Sequence, residues 1–234
     1  MKRALIFGLN YTGTPGALRG CINDATNMGG CLSSLGYSCI TITDDVDWAG
    51  CTRLGIHRAL YSLSLRTHTE TIPSIWVHFS GHGTWRHDAS GDEVDRQDEG
   101  LVPADGGTIF DDSLYRWLTT VSPRTEVVLT FDCCHAGTMG DLPLTWDGTG
   151  MRTTAVGHGG GIAAKVVCIS GSSDAGTAID TLIQGQYQGV FTRSLIDSID
   201  TSDSWFDIVV EVHRRMSLLT REQTVRLSST FELQ

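Results

Sequence analysis

Short β-rich runs alternate with helix-length apolar patterns along the whole chain, and this alternation limits the possible folds more than any other feature. The segments "RALIFGLN" (3–10), "YSCITIT" (37–43), "SIWVHFSGHG" (74–83), "TEVVLTF" (125–131) and "AKVVCISGS" (164–172) read as strands. Between and after them, 20–36, 51–67, 111–121, 189–200 and 204–219 carry apolar residues at helical spacing. In the first helical segment these are Ile22, Ala25, Met28, Cys31, Leu32 and Leu35, and Gly36 is a stop signal. In the second, Leu54, Ala59, Leu60 and Leu63 form the apolar face. Strands separated by helices predict βαβ units, hence an α/β fold with a mostly parallel central sheet and helices on both faces. The segment "TVRLSSTFEL" (224–233) is expected to return as an edge strand. Residues 141–163 are glycine-rich and are expected to be a mobile linker dividing one compact domain into a larger part, 1–140, and a smaller part, 164–234.

A hydrophobic content of 40% supports a real core, and charged residues make up 19% of the chain. The net charge of −10 disfavours nucleic acid and anionic membrane surfaces as partners, and suits basic substrates or cations. No run of about 18 apolar residues occurs, so no membrane span is expected. The apolar run Ala4–Leu9 is too short for a signal peptide and reads as the first strand. Seven cysteines, odd in number and irregular in spacing, point to reduced thiols and a cytoplasmic setting.

Ligand sites in parallel sheets lie beyond the C-terminal strand ends. Two strands here end in chemically loaded turns, Ser80-Gly81-His82-Gly83 and Asp132-Cys133-Cys134-His135. Such turns could hold a nucleophile, a metal, or simply a cysteine-rich core. An imidazole promotes the thiolate that makes a nucleophile. An acyl-transfer site also needs oxyanion donors, and the backbone N–H groups of Gly83 and Cys134 are candidates.

"HFSGHG" followed 52 residues later, histidine to cysteine, by "DCCHAG" resembles the paired motifs of metacaspases, the caspase-like cysteine peptidases. The resemblance extends to "KRALIFGLNY", "LRGCINDATNM", "VPADGGTIFDDSL", "ISGSSDAGTA", "GVFTRSLIDSI" and "RLSSTFEL", in the family's order. It implies the caspase–hemoglobinase fold, with a p20-like large-subunit part and a p10-like small-subunit part. It also implies Cys134 as nucleophile, His82 as general acid/base and His135 as a motif residue, while Cys133 reads by itself as a small buried thiol, since free cysteine packs as a small hydrophobe. The family's pocket for a basic P1 side chain matches Cys21, Asp24, Ser80 and Asp132, so cleavage of proteins after Arg or Lys is expected.

No cofactor is expected for the chemistry, but calcium is implied as an activator through Asp98, Asp111, Asp112 and Asp141. The acidic run holding Asp88, Asp92, Glu93 and Asp95 does not match an EF-hand and reads by itself as a solvated loop. The chain begins within ten residues of the first strand, so no prodomain is expected. Control is then expected from calcium, an upstream protease, or zymogen cleavage at Arg152 or Lys165. Other enzyme classes fit poorly. His78 and His82 lack the glutamate and the helix of a zinc motif, and neither G-x-S-x-G nor a P-loop is present. The rival outside enzymes is a catalytically silent caspase-like interaction domain.

Overall fold

We describe the chain from a computed structural model, covering residues 1–87, 97–136, 139–146, 151–153, 161–173, 180–183, 185–220 and 223–233. Its first half is built of βαβ units. Strand β1 (Lys2–Gly8) leads through helix α1 (Cys21–Ser34) to β2 (Tyr37–Thr43). Helix α2 (Arg53–Thr69) then crosses to β3 (Ser74–Ser80) on the other side of β1. A small three-stranded sheet follows: β4 (Gly83–His87), β5 (Gln97–Leu101) and β6 (Ile109–Phe110). Helix α3 (Asp111–Leu118) precedes β7 (Glu126–Asp132). After β7 come β8 (Leu144–Trp146), β9 (Met151–Thr153), β10 (Val166–Ser173), and the hairpin β11 (Asp180–Ile183) with β12 (Gln186–Gly189). Helices α4 (Val190–Ile199) and α5 (Trp205–Leu219) and strand β13 (Gln223–Ser229) complete the fold.

The main sheet runs β2-β1-β3-β7-β10-β13-β8-β9. Pairings from β2 to β10 are parallel, and those beyond β10 are antiparallel. Side chains alternate across the pleat. Leu5, Phe7, Ile75, Val77, Phe79, Leu129 and Phe131 therefore join one core with Ile56 and Leu60 of α2 and Leu114 and Trp117 of α3. Ala4, Ile6, Trp76, Val128, Val167 and Ile169 join the other with α1, α4 and α5. Burial on both faces explains why the central strands read as near-continuous apolar runs. Helix α1 stops as expected, with Gly36 at φ +83° and its N–H donating to Ser33 O at 3.1 Å.

Three expectations need correction. Strand β13 is interior, because β8 pairs along its free side. Strands β8 and β9 come from within 141–163, so residues 144–146 and 151–153 of the expected linker extend the main sheet. Leu54 is 57% exposed, because α2 buries Ile56, Leu60, Leu63, Ser64 and Thr67, a stripe rotated from the one read in sequence.

Candidate active site

Strands β3 and β7 are parallel neighbours, with Ser80 opposite Asp132 at their C-terminal ends. The pairing continues into the turns, where Gly81 N–H donates to Asp132 O at 3.2 Å. The turns carrying His82 and Cys134 therefore sit side by side. A Cβ on Gly83 would overlap the Cys134 carbonyl, so only glycine permits this approach. Gly83 and Cys134, 51 residues apart in sequence, thus come to lie backbone against backbone.

The loop after β1 orients His82. Its Nε2 lies 2.6 Å from Gly16 O. A carbonyl only accepts, so Nε2 carries the proton and Nδ1 is the basic nitrogen of the neutral ring. The imidazole packs on the Tyr11 ring at 4.7 Å between centroids, and the His82 N–H donates to Tyr11 Oη at 2.9 Å. Tyr11 Oη in turn donates to Val102 O at 2.6 Å. Burial holds the Tyr11 phenol well above its usual range, so it stays a donor. Tyr11 itself sits at φ +50°, pinned by its N–H bond to Asp44 Oδ2 at 2.6 Å.

Cys134 is 2% exposed. Burial, with Asp132 as the second cause, pushes its thiol up to about 11. The resting sulfur is therefore protonated at neutral pH. Cys133 lies in the apolar core, and burial raises its thiol as well. His135 is half-buried at φ +52°, with its ring 6.3 Å from Trp85. All seven cysteines are free thiols.

Cys21, Asp24, Ser80 and Asp132 are all buried, and the structure gathers the three polar members at the sheet rim. Ser80 Oγ donates to Asp24 Oδ2 at 2.8 Å. Gly189 N–H donates to Asp24 Oδ1 at 2.9 Å. Asp132 Oδ2 accepts from Thr192 N–H at 2.9 Å and from Thr192 Oγ1 at 2.6 Å. Cys21 opens α1, its N–H donating to Asn10 Oδ1 at 3.0 Å.

The four aspartates read as calcium ligands engage groups of the chain itself. Asp98 is opposite Arg86 across β4 and β5, with Nε to Oδ2 at 2.6 Å. The Arg86 guanidinium also lies over the Phe110 ring at 3.8 Å. Asp111 caps backbone, accepting from Glu99 N–H at 2.7 Å and Asp112 N–H at 2.8 Å. Asp112 reaches Arg116 at 3.4 Å, and Asp141 is buried at φ +51°. Among the described residues, no three His, Cys, Asp or Glu side chains are gathered at metal-binding spacing. The donor set is oxygen only, which suits a hard cation. Asp88, Asp92, Glu93 and Asp95 lie outside the described residues.

His78 is no partner of His82. It is fully buried in β3, with Nδ1 2.9 Å from Thr130 Oγ1, and burial lowers its pKa to about 3. Arg152 lies in β9, the outermost strand, opposite Thr145. Lys165 is exposed, but its carbonyl already accepts from Val127 N–H at 2.8 Å. No helix among the described residues is long and apolar enough to cross a membrane.

Residue reading missed Gly16, Tyr11, Gly189 and Thr192. Gly16 acts through a carbonyl, which residue type does not reveal. Tyr11 lies at the end of a strand beside a loop, which was a weak signal. Gly189 and Thr192 belong to a segment read as helical and as part of the family resemblance, with no site role given to either residue.

A family model described as metacaspase, peptidase C14 domain, matches residues 2–143. Metacaspase-1B of Aspergillus clavatus is 31% identical over 84% of this chain and 61% of its own length. Metacaspase-1 of Saccharomyces cerevisiae is 29% identical over 92% of this chain and 63% of its own. The chain thus spans 61% to 63% of the length of these curated relatives. Among solved structures, a Geobacter sulfurreducens protein superposes with a TM-score of 0.68 at 22% identity, covering 97% of this chain and 92% of that one. Pro-sf-caspase-1 superposes with a TM-score of 0.61 at 11% identity, covering 99% of this chain and 88% of that one, so the fold is caspase-like.

Proposed function

The chain belongs to the metacaspase family of C14 cysteine peptidases, and from that premise we propose that it is an endopeptidase cutting after Arg or Lys through Cys134 and His82. The observation that carries this reading is the pairing of the two turns, with Ser80 opposite Asp132 and Gly83 against the Cys134 carbonyl.

The chemistry follows from the protonation states. Cys134 rests as a thiol, so His82 must take its proton as sulfur attacks the scissile carbonyl. The oxyanion that forms accepts from the N–H groups of Gly83 and Cys134. As the intermediate collapses, the C–N bond breaks and the imidazolium returns the proton to the leaving amine. This leaves a thioester on Cys134. His82 then takes a proton from water, hydroxide adds to the thioester, and the acid leaves as the thiol re-forms. Gly16 O, hydrogen-bonded to Nε2 at 2.6 Å, holds the ring orientation and stabilises the imidazolium during each cycle. The buried carboxylates of Asp24 and Asp132 suit a cationic P1 side chain, whose charge their desolvation favours.

Calcium is part of the same reading. Asp98, Asp111, Asp112 and Asp141 would hold it, and the ion would order the loops around the site. Asp98 would first have to exchange the Arg86 guanidinium for the cation. In this reading the buried, protonated Cys134 is the resting state of a latent enzyme.

The test is a fluorogenic peptide panel with Arg, Lys or Asp at P1, run with calcium and with chelator. We expect cleavage of the Arg and Lys peptides alone, stimulated by calcium and abolished in Cys134→Ala. Cleavage after Asp, or cleavage surviving in Cys134→Ala, would overturn the proposal.

A further inference from the structure

Asp24 and Asp132 raise a problem of their own. Two carboxylates this deeply buried, both closing on one residue, repel each other and lose hydration. Something must hold them in place before any substrate arrives. The first turn of α4 does so. Gly189, its N-cap, donates its N–H to Asp24 Oδ1 at 2.9 Å. Thr192 gives both its N–H and its hydroxyl to Asp132 Oδ2, at 2.9 and 2.6 Å. The backbone donors belong to the helix start, where N–H groups lack intrahelical partners and the dipole is positive.

Gly189 is not required by backbone conformation. Its φ of −71° and ψ of 133° are open to any residue. What it supplies is space. A Cβ there would overlap Asp132 Oδ2 and lie 2.9 Å from Asp24 Oδ2. Only a residue without a side chain lets both acids close on α4. Thr192, 1% exposed, fixes the second acid with two donors on one oxygen.

We propose that Gly189 and Thr192 set the P1 specificity of this peptidase by positioning Asp24 and Asp132 from the first turn of α4. This rests on the basic-pocket reading above. It adds that the pocket's acids, contributed by α1 and β7, are aligned by the segment C-terminal to the glycine-rich stretch. That segment then supports selectivity rather than bond breaking.

The experiment compares one peptide sequence carrying Arg or its neutral, similar-length counterpart norleucine at P1. Each enzyme is scored by its ratio of kcat/KM values for the two, which cancels the folded fraction of the preparation. In Thr192→Val the backbone donor stays and one charge-assisted hydrogen bond goes. The ratio should fall roughly tenfold, mainly through KM of the Arg peptide. Thr192→Ser should restore it. Gly189→Ala should lose selectivity as far as Asp132→Asn does. The inference is overturned if Thr192→Val and Gly189→Ala keep the wild-type ratio while Asp132→Asn loses it, or if Thr192→Ser falls as far as Thr192→Val. A wild type indifferent to P1 charge, or a fully selective Asp132→Asn, removes the acidic pocket for a basic P1 side chain and the inference with it.

Discussion

The ionisation of Cys134 gives the sharpest quantitative consequence. Burial and the Asp132 charge push its thiol up to about 11. At pH 7 the thiolate fraction is then about 10⁻⁴, against roughly 3% for an ordinary cysteine. The more basic thiolate is also the better nucleophile, with a Brønsted slope near 0.45 recovering about tenfold of that deficit. Ionisation alone should thus slow alkylation by iodoacetamide on the order of 20-fold relative to a free thiol, and burial slows it further. The assay is alkylation of the Cys134 peptide, followed by mass spectrometry from pH 6.5 to 9.5 in chelator. The log rate should climb by about one per pH unit with no bend. Asp132→Asn removes the second cause of the shift and should raise the rate at every pH in that range. A plateau beginning below pH 8 would mean a preformed thiolate–imidazolium pair and would refute the reasoning.

Other consequences test different parts of the structure. His78 is fully buried, and its folded pKa of about 3 lies below its unfolded value. Its contribution to stability is therefore full above about pH 6.5 and drains as pH falls towards 3, a loss of roughly 3 kcal/mol between pH 7 and pH 4. Urea midpoints at those two pH values should converge in His78→Phe, and an unchanged gap would exclude His78 as the cause. Arg86 holds Asp98 but is half exposed, so the pair is worth only ~0.5–1 kcal/mol. Arg86→Ala should bind calcium roughly two- to fivefold tighter by calorimetry, and unchanged affinity would mean that the pair does not compete. Wild type incubated with calcium should be cut after Arg152 sooner than after Lys165, whose carbonyl is tied to Val127, and Cys134→Ala should stay intact. Full activity in uncut wild-type protein would count against activation by cleavage.

The main architecture was legible because apolar periodicity reports burial directly. Strand 37–43 was read at its full observed length, and the central strands β3 and β7 were found within a few residues. The pairing of the His82 and Cys134 turns was legible because parallel strands share one rim. Strand β13 was read as an edge because pairing partners depend on non-local contacts. Its neighbour β8 is only three residues long and arises in a stretch whose glycines mark turns more strongly than strands. Asp24 and Asp132 were picked out through family motifs, but the donors that hold them were not. A helix N-terminus looks alike in sequence whether it faces water or a carboxylate. Gly16 and Gly189 act through a carbonyl, an N–H and a missing Cβ, none of which residue chemistry signals.

The central claim is that Cys134 and His82 form one peptide-cleaving site with an acidic pocket for a cationic side chain. The most direct measurement is tandem mass spectrometry of the protein after treatment with a peptidyl-arginine chloromethylketone in calcium. The account expects a single adduct on Cys134 Sγ, formed faster than on a free thiol and lost in His82→Ala. An adduct spread over the half-buried Cys31 and Cys39, or one formed equally fast without His82, would contradict it.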